Sequence, residues 1–264
     1  MGNFSEINPL PSSLFALNNP PQRLFYQGDL SLLNRFKVAI VGTRSPNQYT
    51  KMLTARLSNA ISKFAVVVSG GALGVDIIAH RGAYPNTIMV SPSSLDIIYP
   101  RENEKMISDI AKNALIISEY KERFMPHRHS FLERNRIVIA LSDIVILPQG
   151  DLRSGTHSSA NFAMNLNKPI FTLPHRYDES SLTNFLLAQN KAQAIYDIND
   201  FIKANIPHSK ANSTKSVESS DEILAFCAKS PSYDEAIAKF GNKILEYEFE
   251  GLLVRENNII RTKF

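Results

Sequence analysis

Three stretches of this sequence set small residues where backbone amides can reach an anion. They are Gly42-Thr43-Arg44-Ser45, Ser69-Gly70-Gly71-Ala72-Leu73-Gly74-Val75-Asp76 and Ser154-Gly155-Thr156. Residues without bulky side chains let N–H groups approach a ligand closely, and a helix starting at such a turn adds partial positive charge. Arg44 contributes a planar, permanently charged fork that suits phosphate. A fourth stretch, Met125 to Leu141, is the most distinctive. Ser130 and Glu133 are spaced as a capping box, which predicts a helix opening at Phe131. Its first turns carry Phe131, Arg134, Asn135 and Arg136, with Arg128 in the loop before them. Its last turns, Ile137 to Leu141, are apolar on every side and require burial. Arginines for phosphates beside an aromatic ring for a base are what single-stranded nucleic acid needs, each stacked base contributing ~1–3 kcal/mol.

Other chemistries fit less well. The first apolar run leads into Gly42-Thr43-Arg44 rather than G-x-G-x-x-G, and Arg44-Ser45-Pro46 would crowd a pyrophosphate turn. No G-x-x-x-x-G-K-[ST] loop is present, which argues against phosphoryl transfer of that type. His127, His129 and His157 lack metal-ligand spacing, and a single cysteine, Cys227, rules out a disulfide within these residues and a cysteine-rich zinc site. Asp76 and Asp96 could serve as catalytic carboxylates, but a lone Asp after a Gly-rich turn more often caps a helix. No catalytic residue, cofactor or metal is therefore expected. The reading is of a binding protein and not an enzyme.

These residues need a scaffold, and the apolar pattern supplies it. Short runs recur at Val38–Val41, Ala65–Val68, Thr87–Val90, Leu115–Ile117, Asp143–Leu147 and Pro169–Leu173, separated by segments mostly long enough for helices. Continuous β-branched runs mark strands buried on both faces, and their alternation with helices predicts an α/β fold with a doubly wound, mainly parallel, Rossmann-like sheet. Ligands of such sheets bind beyond the carboxyl ends of the strands, where the glycine-rich stretches fall. Residues 1–36, rich in Pro, Asn and Ser, read as a packed N-terminal lead-in of irregular structure and short helices. Residues 37–206 form the Rossmann-like domain, and 207–220 read as a linker. Residues 221–264 predict helices near Glu222–Lys229, from Pro231-Ser232 to Gly241, and over Asn242–Glu250, then a hairpin turning at Asn257-Asn258. Together these suggest a small winged-helix-like domain.

Charge separates the two parts. Residues 216–264 hold 6 Lys/Arg and 9 Asp/Glu, a net of −3, which leaves 23 and 16, a net of +7, for the first 215. The larger part suits a polyanion. In the tail, Lys243 is outnumbered by Glu246, Glu248 and Glu250, which would repel phosphate, so a protein-contact role is expected there. No apolar stretch is long enough to span a bilayer and the N-terminus lacks a secretory pattern, so a cytoplasmic protein without membrane contact is expected.

Taken in order, Val38-Ala39-Ile40-Val41-Gly42-Thr43-Arg44, the Ser69-to-His80 stretch and Phe131-Leu132-Glu133-Arg134-Asn135-Arg136-Ile137 resemble the DprA/Smf family of bacterial DNA-processing proteins of natural transformation. The resemblance runs from about Pro20 to Ala194 and includes Ser154-Gly155-Thr156 and Thr183-Asn184. It implies single-stranded DNA bound in a basic pocket, a homodimer, and handover of the DNA to the RecA recombinase. Double-stranded DNA stays open as a further ligand. The DNA-contacting positions it implies are Arg44, Ser69, Gly70, Gly71, Arg128, Phe131, Arg134, Asn135, Ser154, Gly155 and Asn184. The chain departs from the family at Leu147-Pro148-Gln149-Gly150, where an acidic residue followed by Ala is usual. It departs again at Pro174-His175-Arg176 and at Leu182-Thr183-Asn184, in place of Pro-Gly and Gly-Thr-Asn. The rival reading is a nucleotide phosphoribohydrolase of the LOG (lysine-decarboxylase-like) family, which has a similar layout. In the region of its loop Pro-Gly-Gly-x-Gly-Thr-x-x-Glu this chain has Leu147-Pro148-Gln149 and Ser154-Gly155-Thr156-His157-Ser158-Ser159, without the carboxylate that would stabilise a ribosyl cation or activate water.

Overall fold

The computed structural model describes residues 4–207, 222–249 and 252–262. The chain divides into two units, Met1–Ser209 and Lys210–Phe264. In the first, strands β1 (Ser5–Glu6), β2 (Phe25–Gly28), β3 (Lys37–Ile40), β4 (Val66–Ser69), β5 (Thr87–Val90), β6 (Leu115–Ser118), β7 (Ile144–Leu147), β8 (Ile170–Thr172) and β9 (Gln193–Ala194) form one sheet in the order β1-β2-β6-β5-β4-β3-β7-β8-β9. From β6 to β9 every pairing is parallel, while β2 pairs antiparallel with β6 and β1 with β2. The six apolar runs are thus six strands of the sheet. The Rossmann-like, mainly parallel fold expected from them is the one observed.

Helices α1 (Gln48–Ser62), α2 (Val75–Ala83), α3 (Glu104–Asn113), α4 (Arg128–Leu141), α5 (Gly155–Asn165), α6 (Ser181–Ala188) and α7 (Ile198–Asn205) cover the sheet. Alternation along β3 sorts the two layers, since successive side chains point to opposite faces. Val38 and Ile40 pack with Leu57 and Ile61 of α1, Val75 and Ala79 of α2, and Phe201 of α7. Ala39 and Val41 pack with Ile107 of α3, Ile137 to Leu141 of α4, and Ala160 of α5. The apolar end of α4 is buried on every side because the 3-10 turn Ser12–Ala16 also lies against it and contributes Leu14 to the same core.

The first 36 residues do more than lead in. Besides short 3-10 turns at Ser12–Ala16 and Leu30–Asn34, they supply two strands at the sheet edge. Phe25-Tyr26 had no periodic neighbours to announce a strand, and its pairing depends on β6, about ninety residues away (Tyr26 opposite Ile117). An antiparallel strand then closes the edge of an otherwise parallel sheet.

The second unit contains α8 (Glu222–Cys227), α9 (Tyr233–Phe240), α10 (Lys243–Phe249) and a hairpin of β10 (Leu253–Glu256) and β11 (Ile259–Thr262). The capping box at Ser232 and Glu235 is formed in both directions, the Ser232 N–H donating to Glu235 at 2.9 Å and the Glu235 N–H to Ser232 Oγ at 3.2 Å. Asn257 and Asn258 have φ of 47° and 65°, the left-handed pair a tight hairpin turn requires. Ile223, Ala236, Ile244, Leu253 and Ile260 form the unit's own core. The expected linker, apart from Pro207, lies outside the described residues. No helix among the described residues is long and apolar enough to cross a membrane.

Candidate nucleic-acid interface

Strand order reverses at β3, which lies between β4 and β7, and the crevice beyond the carboxyl ends of β3 and β7 is where such sheets take ligands. A cavity of about 590 Å³ opens there. Of the expected positions, Arg44, Phe131, Arg134, Asn135, Ser154 and Gly155 line it, together with Gly42 and Asp76.

Close backbone approach shapes the wall. A Cβ at Gly42 would stand 2.8 Å from Val75 and 2.9 Å from the Gln149 carbonyl. Gly74 has a φ of 81°, and a Cβ there would fall 2.4 Å from the Thr43 carbonyl. The Thr43 N–H donates to Gln149 O at 2.9 Å, and the Val75 N–H to Thr43 O at 3.1 Å, so the loops after β3, β4 and β7 are stitched together.

The floor is ionic and buried. Arg134 is only 3% exposed; its Nη1 donates to the Val90 carbonyl at 3.0 Å, and its Nη2 lies 4.0 Å from Asp76 Oδ2. The Asp76 carboxylate also accepts hydrogen bonds from the backbone N–H groups of Gly42, Ala72 and Gly70. Burial pushes the Asp76 carboxyl above its ordinary value, with Arg134 and these N–H groups opposing. Burial lowers the Arg134 guanidinium to about 10, still charged at neutral pH, with Asp76 supporting it and Arg44 opposing. The Nε of Arg134 is buried without a hydrogen-bond partner. The sequence reading gave Arg134 as a DNA-contacting position; the structure sets it in the floor, where its guanidinium reaches in to the Val90 carbonyl. Gly70 makes room for it, since a Cβ there would stand 1.5 Å from Arg134 Nη1.

The rim is cationic and aromatic. Arg44 is exposed, and its guanidinium carbon sits 5.0 Å from the centroid of Phe131. Phe131 is half-buried and leans on Tyr99 with centroids 5.6 Å apart. Opposite, Ser154 caps α5 by accepting the His157 N–H at 3.3 Å, and nothing lies within 4 Å of where a Gly155 side chain would be. Asn135 Nδ2 donates to Ser159 Oγ at 3.1 Å, tying α4 to α5.

Other expected positions stand apart. Ser69 is buried, its Oγ donating to Ile40 O at 2.6 Å; Gly71, at φ 71°, faces Met89 and accepts from Asn103 Nδ2 at 3.0 Å. With Gly70 they shape the turn behind the wall, and the residue that reaches the cavity is Ala72. The Asn184 amide holds the Arg176 and Tyr177 carbonyls, both at 2.9 Å, and does not line the cavity. Arg128 opens α4, but its side chain lies outside the described residues. Helix α4 therefore starts three residues earlier than Ser130 and Glu133 suggested. Ser130 Oγ instead accepts the His127 N–H at 3.0 Å from inside the first turn, and Glu133 accepts the Tyr120 hydroxyl at 3.0 Å. Arg136 pairs with Glu119 at 2.9 Å, and Asp96 accepts the Arg123 N–H at 3.1 Å.

An arginine of the cavity and an aromatic neighbour of its rim escaped the sequence reading. Arg153 lines it with a left-handed φ of 62°, and its signal was the Asp151-Leu152-Arg153 loop just before Ser154. Tyr99, beside Phe131, carried no signal because its loop has no periodicity. Among the described residues no cluster of His, Cys, Asp and Glu could hold a metal ion.

A doubly wound sheet with small-residue turns and arginines around a crevice at its switch point defines a Rossmann-like domain. The chain belongs to the DNA recombination-mediator protein A family, whose model matches residues 5–205. It is 34% identical over 210 residues to the DNA processing protein DprA of Bacillus subtilis (strain 168), covering 75% of this chain and 71% of that one. To DprA of Streptococcus pneumoniae (strain R6) it is 34% identical over 167 residues, 62% of this chain and 59% of the relative. Among solved structures it resembles DNA processing protein A of Helicobacter pylori, a single-stranded DNA binder, with a TM-score of 0.75 and 52% identity over 76% of this chain and 94% of that one. The S. pneumoniae DprA structure matches with a TM-score of 0.72 and 30% identity over 77% and 74%. The family match ends before the second unit.

Proposed function

We propose that the crevice binds single-stranded DNA, with Arg44 on the phosphate backbone, Phe131 against a base, and the start of α5 completing the anion site. The observation that carries this reading is the Arg44–Phe131 pair at the mouth of a cavity floored by a buried, charged arginine. A cation and a ring held together serve phosphate and base at once. Single-stranded DNA binding by the similar H. pylori protein supports the same ligand. Double-stranded DNA, too wide to send a base into such a cavity without local melting, is the weaker candidate.

Binding, not catalysis, is the work proposed. Where a phosphoribohydrolase needs a glutamate, this chain has Ser159, buried and bonded to Asn135. Asp76 is occupied by three backbone N–H groups and Arg134. Release of free base from AMP by the purified protein would reverse this assignment. Following the family, the bound strand is protected and passed to RecA by a homodimer in the cytoplasm during natural transformation, and the acidic C-terminal unit is a winged-helix-like protein-contact module.

The test is a mobility-shift titration of oligo-dT with Arg44→Ala at several salt concentrations. Affinity should fall at least tenfold, and log K should fall with log salt by about 0.7 per phosphate contacted. Wild-type affinity in Arg44→Ala would remove the crevice from consideration.

A further inference from the structure

The loop entering α4, residues 119–127, is pinned although it lies largely at the surface. The Asp96 carboxylate accepts the Arg123 N–H at 3.1 Å, and Ser94 Oγ accepts the Phe124 N–H at 2.9 Å. The Ser94 N–H donates in return to the Phe124 carbonyl at 3.2 Å. These bonds hold Arg123 at a φ of 60°, a left-handed conformation that an arginine adopts only when its surroundings require it. The bend stacks Tyr120 on Phe124, rings 3.7 Å apart and 3° from parallel. The Tyr120 hydroxyl donates to Glu133 at 3.0 Å, which fastens the stack to α4 beside Arg134.

Outside the stack the loop exposes Lys121, Arg123 and Met125, the last 64% exposed, with Glu122 as the exposed acid among them. Glu119 is paired with Arg136, Asp96 holds the Arg123 N–H and Glu133 the Tyr120 hydroxyl, which leaves Lys121 and Arg123 beside Glu122 as the loop's exposed charges without those bonds. Exposed cations on a pinned backbone beside half-exposed flat rings fit a chain of phosphates and bases better than any apolar partner. The loop also continues the crevice. Phe131 touches Tyr99 at the cavity mouth, and the rise of about 1.5 Å per helical residue sets the loop's end, His127, about 6 Å along α4 from Phe131.

We propose that this loop is a second binding segment for single-stranded DNA, receiving the nucleotides that leave the crevice past the start of α4. The proposal rests on the crevice reading above. It is tested in the full chain with the double variant Lys121→Ala/Arg123→Asn, in which Asn tolerates the left-handed backbone. Oligo-dT of about 4 and about 16 nucleotides, bracketing common single-strand site sizes, is titrated across salt. The long strand should lose about tenfold in affinity, and its salt slope should become shallower by about 1.4 for two lost phosphate contacts. The short strand should bind as to wild type. Unchanged affinity and slope for the long strand overturns the proposal, and so does equal weakening of both lengths, which would make the loop part of the crevice. Arg44→Ala in parallel separates the two ideas. If it weakens both lengths while the loop variant changes neither, only the loop assignment falls. If Arg44→Ala changes neither, the crevice reading itself falls.

Discussion

Arg44 and Arg134 serve one crevice, and burial gives them different work. Arg44 is exposed and meets Phe131, so its loss removes charge from the rim without opening the core. Arg134 neutralises Asp76 inside the protein and holds the Val90 carbonyl. Removing one member of a buried pair leaves the other charge uncompensated, at a cost of about 3–5 kcal/mol. Arg134→Ala should therefore lower stability by that order in denaturant titration, whereas Arg44→Ala should stay within about 0.5 kcal/mol of wild type. If Arg134→Ala unfolded like wild type, the buried pair would have no structural weight. The sequence alone could name both arginines but not rank them, since exposure depends on how α4 lies on the sheet.

Helices and strands were legible where their hydrophobic period was long and their stop signals were local. The six apolar runs and the Ser232–Glu235 cap are of this kind. The start of α4 was not, because Ser130 has two possible helical positions and the loop bonds to Asp96 and Ser94 select one. Among the turns, Gly74 carries the sharpest constraint. At φ 81°, with the Thr43 carbonyl 2.4 Å from a built Cβ, it lets α2 begin against the loop after β3. Gly74→Ala should cost more than about 1 kcal/mol, as expected where alanine cannot adopt the native conformation. It should also weaken oligo-dT binding by displacing Arg44. Thermal melting and the mobility shift read the two effects, and an unperturbed Gly74→Ala protein would contradict the constraint.

Acid stability sums proton uptake over the whole molecule, and His80 is a clear contributor. It is fully buried, donates or accepts through Nδ1 with Thr87 Oγ1 at 2.7 Å, and burial lowers its pKa to about 3, Arg134 adding to the effect. Between the ordinary value of 6.5 and about 3 the unfolded chain takes up a proton that the folded chain refuses. Stability from this group is therefore complete above the ordinary value and is lost as pH falls through that window, by up to about 1.4 kcal/mol per pH unit. Asp76, raised by burial, acts with the opposite sign, so comparison with His80→Gln isolates the histidine. The first unit's denaturation midpoint should fall less steeply with acidification in that variant, and parallel profiles would refute the assignment.

Composition, periodicity and local signals were enough to determine a doubly wound α/β domain, a separate acidic tail of three helices and a hairpin, and the glycine turns at the sheet ends. These follow from short-range rules: apolar period, caps and turn residues act within a few positions. Tertiary structure alone decided that residues 5–6 and 25–28 join the sheet edge, that Arg134 is floor and Arg44 rim, and that Tyr99 meets Phe131. Each of those depends on partners distant in sequence, brought together only when the layers pack and water is excluded between them.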